Sequence, residues 1–335
     1  MADPVLVEVM RGGQVESRHG GAFAVVDAAG GVVLSAGDID RPIFPRSAVK
    51  VIQALPLVES GAADRFGLDA EALALACASH GGEPRHVAVA GRMLRAAGRD
   101  SGCLECGSHW PSHAEAARAL AAAGSEPSPL HNNCSGKHAG FVCLACGMDA
   151  DPRGYVQPGH LVQREVKAAL ESITGHALAD GSHGIDGCSI PTYAIPLRAL
   201  ALGFSRIGTG RGLAPLRASA ARRLRQAVAA HPFLVAGTGR FDTVVMQALG
   251  ERVFVKVGAE GVFCAALPEL GFGIALKCGD GATRAAEIAM AALLLRLLPP
   301  EEAIATALAP LAAPVLRNWN NLEVGALRPA GPLAA

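Results

Sequence analysis

Lysine is nearly missing from this chain of 335 residues. Only five of its 30 basic residues are lysine: Lys50, Lys137, Lys167, Lys256 and Lys277. Arginine carries almost all the solvated positive charge, and arginine stays protonated in any protein setting. A lysine kept against that bias marks a place that needs a point charge or an amine able to lose its proton. Net charge is missing too, because 30 acidic residues balance the 30 basic ones. That leaves no electrostatic footprint for nucleic acid or an anionic membrane. No uncharged apolar run reaches spanning length. The most apolar, Ile288 to Leu295, is the size of a core helix and ends at Arg296. Met1-Ala2-Asp3-Pro4 has neither the basic segment nor the apolar core of a secretory signal. The nine cysteines are therefore expected as reduced thiols in a cytoplasmic protein. Internal repeats, heptads and low-complexity linkers are also absent.

What is present fits a compact enzyme with a large core: 50% of residues are hydrophobic and 18% charged. Alternating patterns predict strands at 5–10, 22–27 and 32–35, with turns at Arg11-Gly12-Gly13 and Ala28-Ala29-Gly30-Gly31. Helical periodicity covers 47–60, 69–77, 84–97, 112–123, 136–146, 159–173, 192–202 and 213–230. The segments 243–249, 253–257, 262–267 and 271–277 read as an antiparallel meander, followed by helices at 281–297 and from Glu301. The expected class is α/β (α+β), with one antiparallel sheet built from N- and C-terminal strands and a helical insertion between them. One domain, 1–335, is expected, with a sheet part at about 1–45 and 235–335 and a helical part at about 46–234.

The chemistry starts at Arg46-Ser47-Ala48-Val49-Lys50. A Ser three residues before a Lys at a helix start places hydroxyl and amine on one face. That is the spacing of a Ser-Lys nucleophile, and equally of an N-cap serine beside a surface lysine. Lys256-Val257-Gly258 is a loose copy of the strand-borne K-T-G that accompanies S-x-x-K in serine β-lactamases and penicillin-binding proteins. A second polar cluster runs from His131 to Gly140 and contains Asn133-Cys134-Ser135-Gly136-Lys137-His138. It lacks the earlier Gly and following Ser/Thr of a P-loop. Cys134 and Lys137 fall around the first turn of a helix, whose positive end favours a thiolate and lowers the proton affinity of Lys137. Gly184-Ile185-Asp186-Gly187-Cys188 supplies a second cysteine in a tight turn, with an Asp that either binds a ligand or makes an Asx-turn. Ser79, in Cys77-Ala78-Ser79-His80, is open to catalysis or helix capping. Cys143-x-x-Cys146 sits on an apolar helix and reads as core, not as half of a zinc site with Cys103-x-x-Cys106.

Together these stretches, with Cys106-Gly107-Ser108-His109 and Lys256-Val257-Gly258-Ala259-Glu260, resemble the bacterial L-asparaginase II family typified by the inducible, thermolabile Rhizobium enzyme. The ordered motifs cover roughly residues 5 to 325. The resemblance implies a fold like that of serine β-lactamases and glutaminases, and a homodimer. It implies two Ser-Lys pairs, Ser47 with Lys50 and Ser79 with Lys256. It implies a Zn²⁺ site from Cys134, Lys137 and Cys188, and substrate contacts from Arg46, Asn133, His138 and Asp186. The chain departs from the family type at Asp242, where the type has a cysteine near the active site.

The expected reaction is hydrolysis of the L-asparagine side-chain amide to aspartate and ammonia. Ser47 is expected as nucleophile, Lys50 as base, and Ser79, tuned by Lys256, as proton shuttle. Asp186 would hold the substrate ammonium and Arg46 its carboxylate. The competing functions are a glutaminase or β-lactamase-like Ser-Lys amidase, and a non-catalytic, metal-dependent binding protein.

Overall fold

The computed structural model describes residues 3–179, 181 and 183–334 of the chain. Three strands open it: β1 (Val5–Arg11), β2 (Gln14–Asp27) and β3 (Val32–Ala36). A two-residue strand, β4 (Pro42–Ile43), and a 3-10 turn at Arg46–Val49 lead into the helices. These are α1 (Lys50–Gln53), α2 (Leu55–Glu59), α3 (Ala62–Arg65), α4 (Ala70–Ala76), α5 (Pro84–Ala96), α6 (Ala114–Ala122), α7 (Ser135–Gly147) and α8 (Leu161–Thr174). Short strands β5 (His183–Ile185), β6 (Pro191–Tyr193) and β7 (Ile195–Pro196) precede α9 (Leu197–Thr209), α10 (Pro215–Ala230), α11 (Pro232–Ala236) and α12 (Phe241–Leu249). The chain then adds β8 (Phe254–Val257), β9 (Val262–Leu267), β10 (Phe272–Cys278), α13 (Thr283–Leu297), α14 (Glu302–Ala312), β11 (Val315–Arg317) and β12 (Glu323–Pro329).

N- and C-terminal strands share one antiparallel sheet in the order β11-β12-β1-β2-β10-β9-β8, with β3 also on β2. The long strand β2 changes partner along its length. Its first half pairs with β1 up to Gly20, and its second half pairs with β10 from Gly21 to Asp27. Helix α9 lies across β2, β9 and β10. It comes so close that a Cβ on Gly273 would sit 1.9 Å from the Ala201 carbonyl oxygen, so only glycine fits there. Helix α7 is buried on every face from Ser135 to Ala145, as an apolar helix in the middle of a helical layer must be. It is surrounded by α2, α3, α4, α5 and α8.

Several elements differ from the sequence expectation. Residues 243–249 form a helix, not a strand. Phe241, Val245, Met246 and Leu249 bury one helical face, and the β-branched Thr243, Val244 and Val245 had mimicked a strand. The helix expected at 192–202 begins at Leu197, because Pro191 and Pro196 sit in the extended segments β6 and β7. The helix expected at 47–60 is a 3-10 turn and two short helices, with Pro56 in the first turn of the second. The strands β11 and β12 were not expected. They extend the sheet beyond β1, where β12 pairs with Val7 to Met10.

Candidate active site

Three of the five lysines are buried where the helical layer meets the sheet: Lys50 and Lys256 at 0% exposure and Lys137 at 2%. Charged side chains are seldom buried unless paired, so each must find partners. Lys50, the first residue of α1, points its Nζ at three acceptors. These are the Ala78 carbonyl at 2.5 Å, Ser79 Oγ at 2.8 Å and Cys134 Sγ at 3.1 Å. Its hydrogen-bond partner is thus Ser79, 29 residues away, and not Ser47. Among the described residues no hydrogen bond joins Ser47 to Lys50, or Ser79 to Lys256. Lys256, on β8, donates to the Val257 carbonyl at 3.0 Å and lies 3.9 Å from Asp242 Oδ1. Burial pushes its pKa down to about 8, and Asp242 only partly opposes that.

Ser79 reaches Lys50 because of glycine at the start of α7. A Cβ on Gly136 would sit 2.3 Å from the Leu75 carbonyl oxygen, so only glycine lets α7 press against the end of α4. The strap after α4 is then sewn down on both sides. Ser79 N–H donates to the Val235 carbonyl at 2.9 Å and His80 N–H to the Asn133 carbonyl at 3.1 Å. His80 Nδ1 accepts the Gly82 N–H, which leaves Nε2–H to donate to Ser135 Oγ at 2.9 Å. Burial, with nearby cations, holds this imidazole well below its usual range, so it is neutral. It stacks on His86 at 4.6 Å, and His86 stacks on Phe233.

Cys134 and Cys188 face each other across the interface of α7 and the β5–β6 turn. The Cys188 thiol donates to Cys134, which lowers the Cys134 pKa well below its usual value and raises that of Cys188. Lys137 Nζ lies 3.0 Å from Cys188 Sγ. Burial alone would push Lys137 down, but the two sulfurs outweigh it and raise its pKa. The helix terminus therefore does not make Lys137 a weak base, as the sequence suggested. Among the described residues no three His, Cys, Asp or Glu side chains gather as metal ligands. Two sulfurs and one amine do converge here. They form a donor set able to take a tetrahedral ion once the protons leave.

Arg46 and Asp186 hold each other: Arg46 Nε and Nη2 both lie 2.7 Å from Asp186 Oδ1. Asp186 also accepts the N–H of the next residue, Gly187, at 2.7 Å, so its carboxylate is held by the turn as well as by the ion pair. Arg46 has φ 51°, a left-handed conformation that costs energy in a non-glycine residue and concentrates at functional sites. His138 meets the Tyr155 hydroxyl at 2.7 Å, while its buried Nε2 has no partner among the described residues. Ser47, Ser79 and Asn133 line one cavity of about 210 Å³, together with His80, His109, Arg240 and Thr283. Asn133 is fixed there by its N–H bond to His109 Nε2 at 3.0 Å.

The sequence reading missed several of these residues. Asn132 accepts the Cys134 N–H and donates to the Cys106 and Gly107 carbonyls, so it ties the Cys106–His109 and Asn133–His138 stretches together. Ser135 and His86 support the Ser79 strap. Arg240 enters the cavity from the Gly237-Thr238-Gly239 turn; two glycines ahead of an apolar helix were its only signal.

No curated protein matches this chain. A solved structure described as "Crystal Structure Analysis of Mglu" aligns at 15% identity and a TM-score of 0.38, over 82% of this chain and 66% of its own. A second, "Crystal Structure Analysis of Mglu in its glutamate form", aligns at 16% identity and a TM-score of 0.34, over 79% and 58%. The chain thus spans less than two thirds of the length of either. The L-asparaginase II family matches residues 7–329, a span that contains every residue of the site, and the chain belongs to that family.

Proposed function

We propose that the protein is an L-asparagine amidohydrolase that works through a serine acyl-enzyme. The observation that carries this is the Lys50 Nζ bond to Ser79 Oγ at 2.8 Å beneath a cavity that both Ser47 and Ser79 line. In this reading Lys50 serves as the base that takes the proton of Ser47 Oγ as that oxygen attacks the side-chain amide carbon. Lys50 then returns the proton to Ser79 Oγ while Ser79 gives its own to the leaving nitrogen. Ammonia departs and Ser47 holds an aspartyl ester. Water attacks the ester, its proton travels the same relay back, and aspartate and free Ser47 result. Lys256 lies near Lys50 as a second buried amine of the same site.

Zn²⁺ fits the Cys134, Lys137 and Cys188 donor set. When bound, it supplies Lewis-acid charge beside the cavity and locks the Cys188 turn to α7. The nine free thiols favour a reducing cytoplasm. No helix among the described residues is long and apolar enough to cross a membrane. Family membership favours a homodimer, and the sheet of terminal strands around a helical layer favours a fold of the serine β-lactamase and glutaminase kind.

A coupled ammonia assay on L-asparagine and L-glutamine tests the reading, with and without added zinc. Release from L-asparagine that is lost in Ser47→Ala is the expected result. A preference for L-glutamine moves the assignment to a glutaminase. Near-normal release by Ser47→Ala refutes the acyl-enzyme on that residue, and zinc binding without ammonia release points to a binding protein.

A further inference from the structure

We propose that Arg240, and not Arg46, receives the substrate's carboxylate, so that the cavity selects amides with an anionic end. This rests on the amidohydrolase reading and deepens it. Arg240 is half-buried, lines the same cavity as Ser47, Ser79, Asn133 and Thr283, and makes no side-chain hydrogen bond or ion pair with the described residues. A guanidinium presents five donors in a rigid fork, and leaving them unmatched in a partly dry site is costly. A carboxylate matches that fork with two parallel bonds.

The rest of the cavity agrees in charge. Its lining contains no aspartate or glutamate, and Lys50 and Lys256 are buried behind it. Glu287 borders a neighbouring cavity of about 340 Å³ that Arg240 also lines, but it forms no ion pair with Arg240. Arg46 is already spent on Asp186 and is absent from the cavity lining. The place of Arg240 is built, too. Thr238, two residues earlier, donates its hydroxyl to Glu83 at 2.6 Å and its N–H to the same carboxylate at 2.9 Å. Asp242, two residues later, accepts the Val257 N–H at 2.9 Å. The turn is therefore pinned on both sides of Arg240, which pre-organises the cation for its ligand.

Calorimetric titration of the full-length protein with L-aspartate, and with neutral succinamide as control, tests this in wild type, Arg240→Gln, Arg240→Lys and Arg46→Gln. Loss of a charge-assisted carboxylate contact is expected to weaken L-aspartate binding about 10- to 100-fold in Arg240→Gln. Arg240→Lys keeps the charge and should lose less, and succinamide binding should stay the same in all variants. KM for L-asparagine should rise in Arg240→Gln more than kcat falls. The proposal falls if Arg240→Gln binds L-aspartate as wild type does, if wild type does not bind it, or if Arg46→Gln alone loses it. A wild type that binds L-aspartate through Arg240 yet releases no ammonia from L-asparagine overturns the amidohydrolase reading and supports this one.

Discussion

Two cavities of this protein make opposite use of cations. The larger, about 810 Å³, is lined by Arg65, Arg99, Arg153, Cys103, Cys146 and acidic residues from the turn after α7. Its arginines are matched: Arg65 with Asp149 at 2.9 Å, Arg153 with Asp151 at 2.6 Å, and Arg99 with Cys146. They are also wet, with Arg153 at 89% exposure. The smaller cavity, about 210 Å³, has one unmatched arginine, three serines and two lysines buried behind it. Water screens a charge in the first cavity, whereas the two lysines behind the second are buried and screened less. The cysteines repeat the contrast. Cys134 and Cys188 share a proton beside Lys50 and Lys137, while Cys103 and Cys146 edge an open cleft.

The sharpest test of that contrast is catalytic. Ser47→Ala should lower ammonia release from L-asparagine by at least about 1,000-fold, whereas Arg99→Gln in the large cleft should stay within about twofold. Equal losses in the two variants would erase the distinction. Metal binding comes next. Cys134→Ser should lower zinc affinity by more than about 100-fold, read by elemental analysis after dialysis against a chelator of known strength. Cys103→Ser should leave the zinc content alone, and the reverse pattern would move the metal to the large cleft.

A pH effect of intermediate size should mark the buried lysine. Lys256 titrates at about 8 in the folded protein against 10.5 when free. Between these values the unfolded chain binds a proton that the folded chain does not, so stability from this group rises with pH across the window. The full gain is about 3 kcal/mol. Urea melts at pH 8 and pH 10 should show it, and Lys256→Met should flatten the difference. The smallest effect belongs to the exposed pair: Arg153→Gln should leave the melting temperature unmoved, because water already screens that bridge. A clear drop would show that the large cleft carries structural charge after all.

The scarcity of lysine was the most informative local signal. It drew attention to five lysines, of which Lys50, Lys137 and Lys256 are buried and Lys167 and Lys277 are partly exposed. Motif order pointed to the family that matches 7–329. The sheet was legible where a short apolar run lay between turn signals, as at 262–267, whose limits coincide with β9. It was not legible at β11 and β12, which lack a strong apolar alternation and exist because β1 offers them an edge. Nor was the helix at 241–249 legible, because β-branched residues satisfy both periods over so short a run.

Within the site, composition and motif spacing determined which side chains to consider: serines, rare lysines and two cysteines in ordered motifs. Only the tertiary structure decided their partners. Lys50 bonds Ser79 and not Ser47 because Gly136 lets α7 close on the end of α4. Arg46 and Asp186, two expected substrate contacts, satisfy each other across 140 residues of chain. Lys137 holds its proton more tightly because two sulfurs close around it, while Lys256 gives its proton up more easily because it is dry. A side chain's chemistry is written in its own residue, but its charge depends on the groups and the water around it, and those neighbours come from distant parts of the chain.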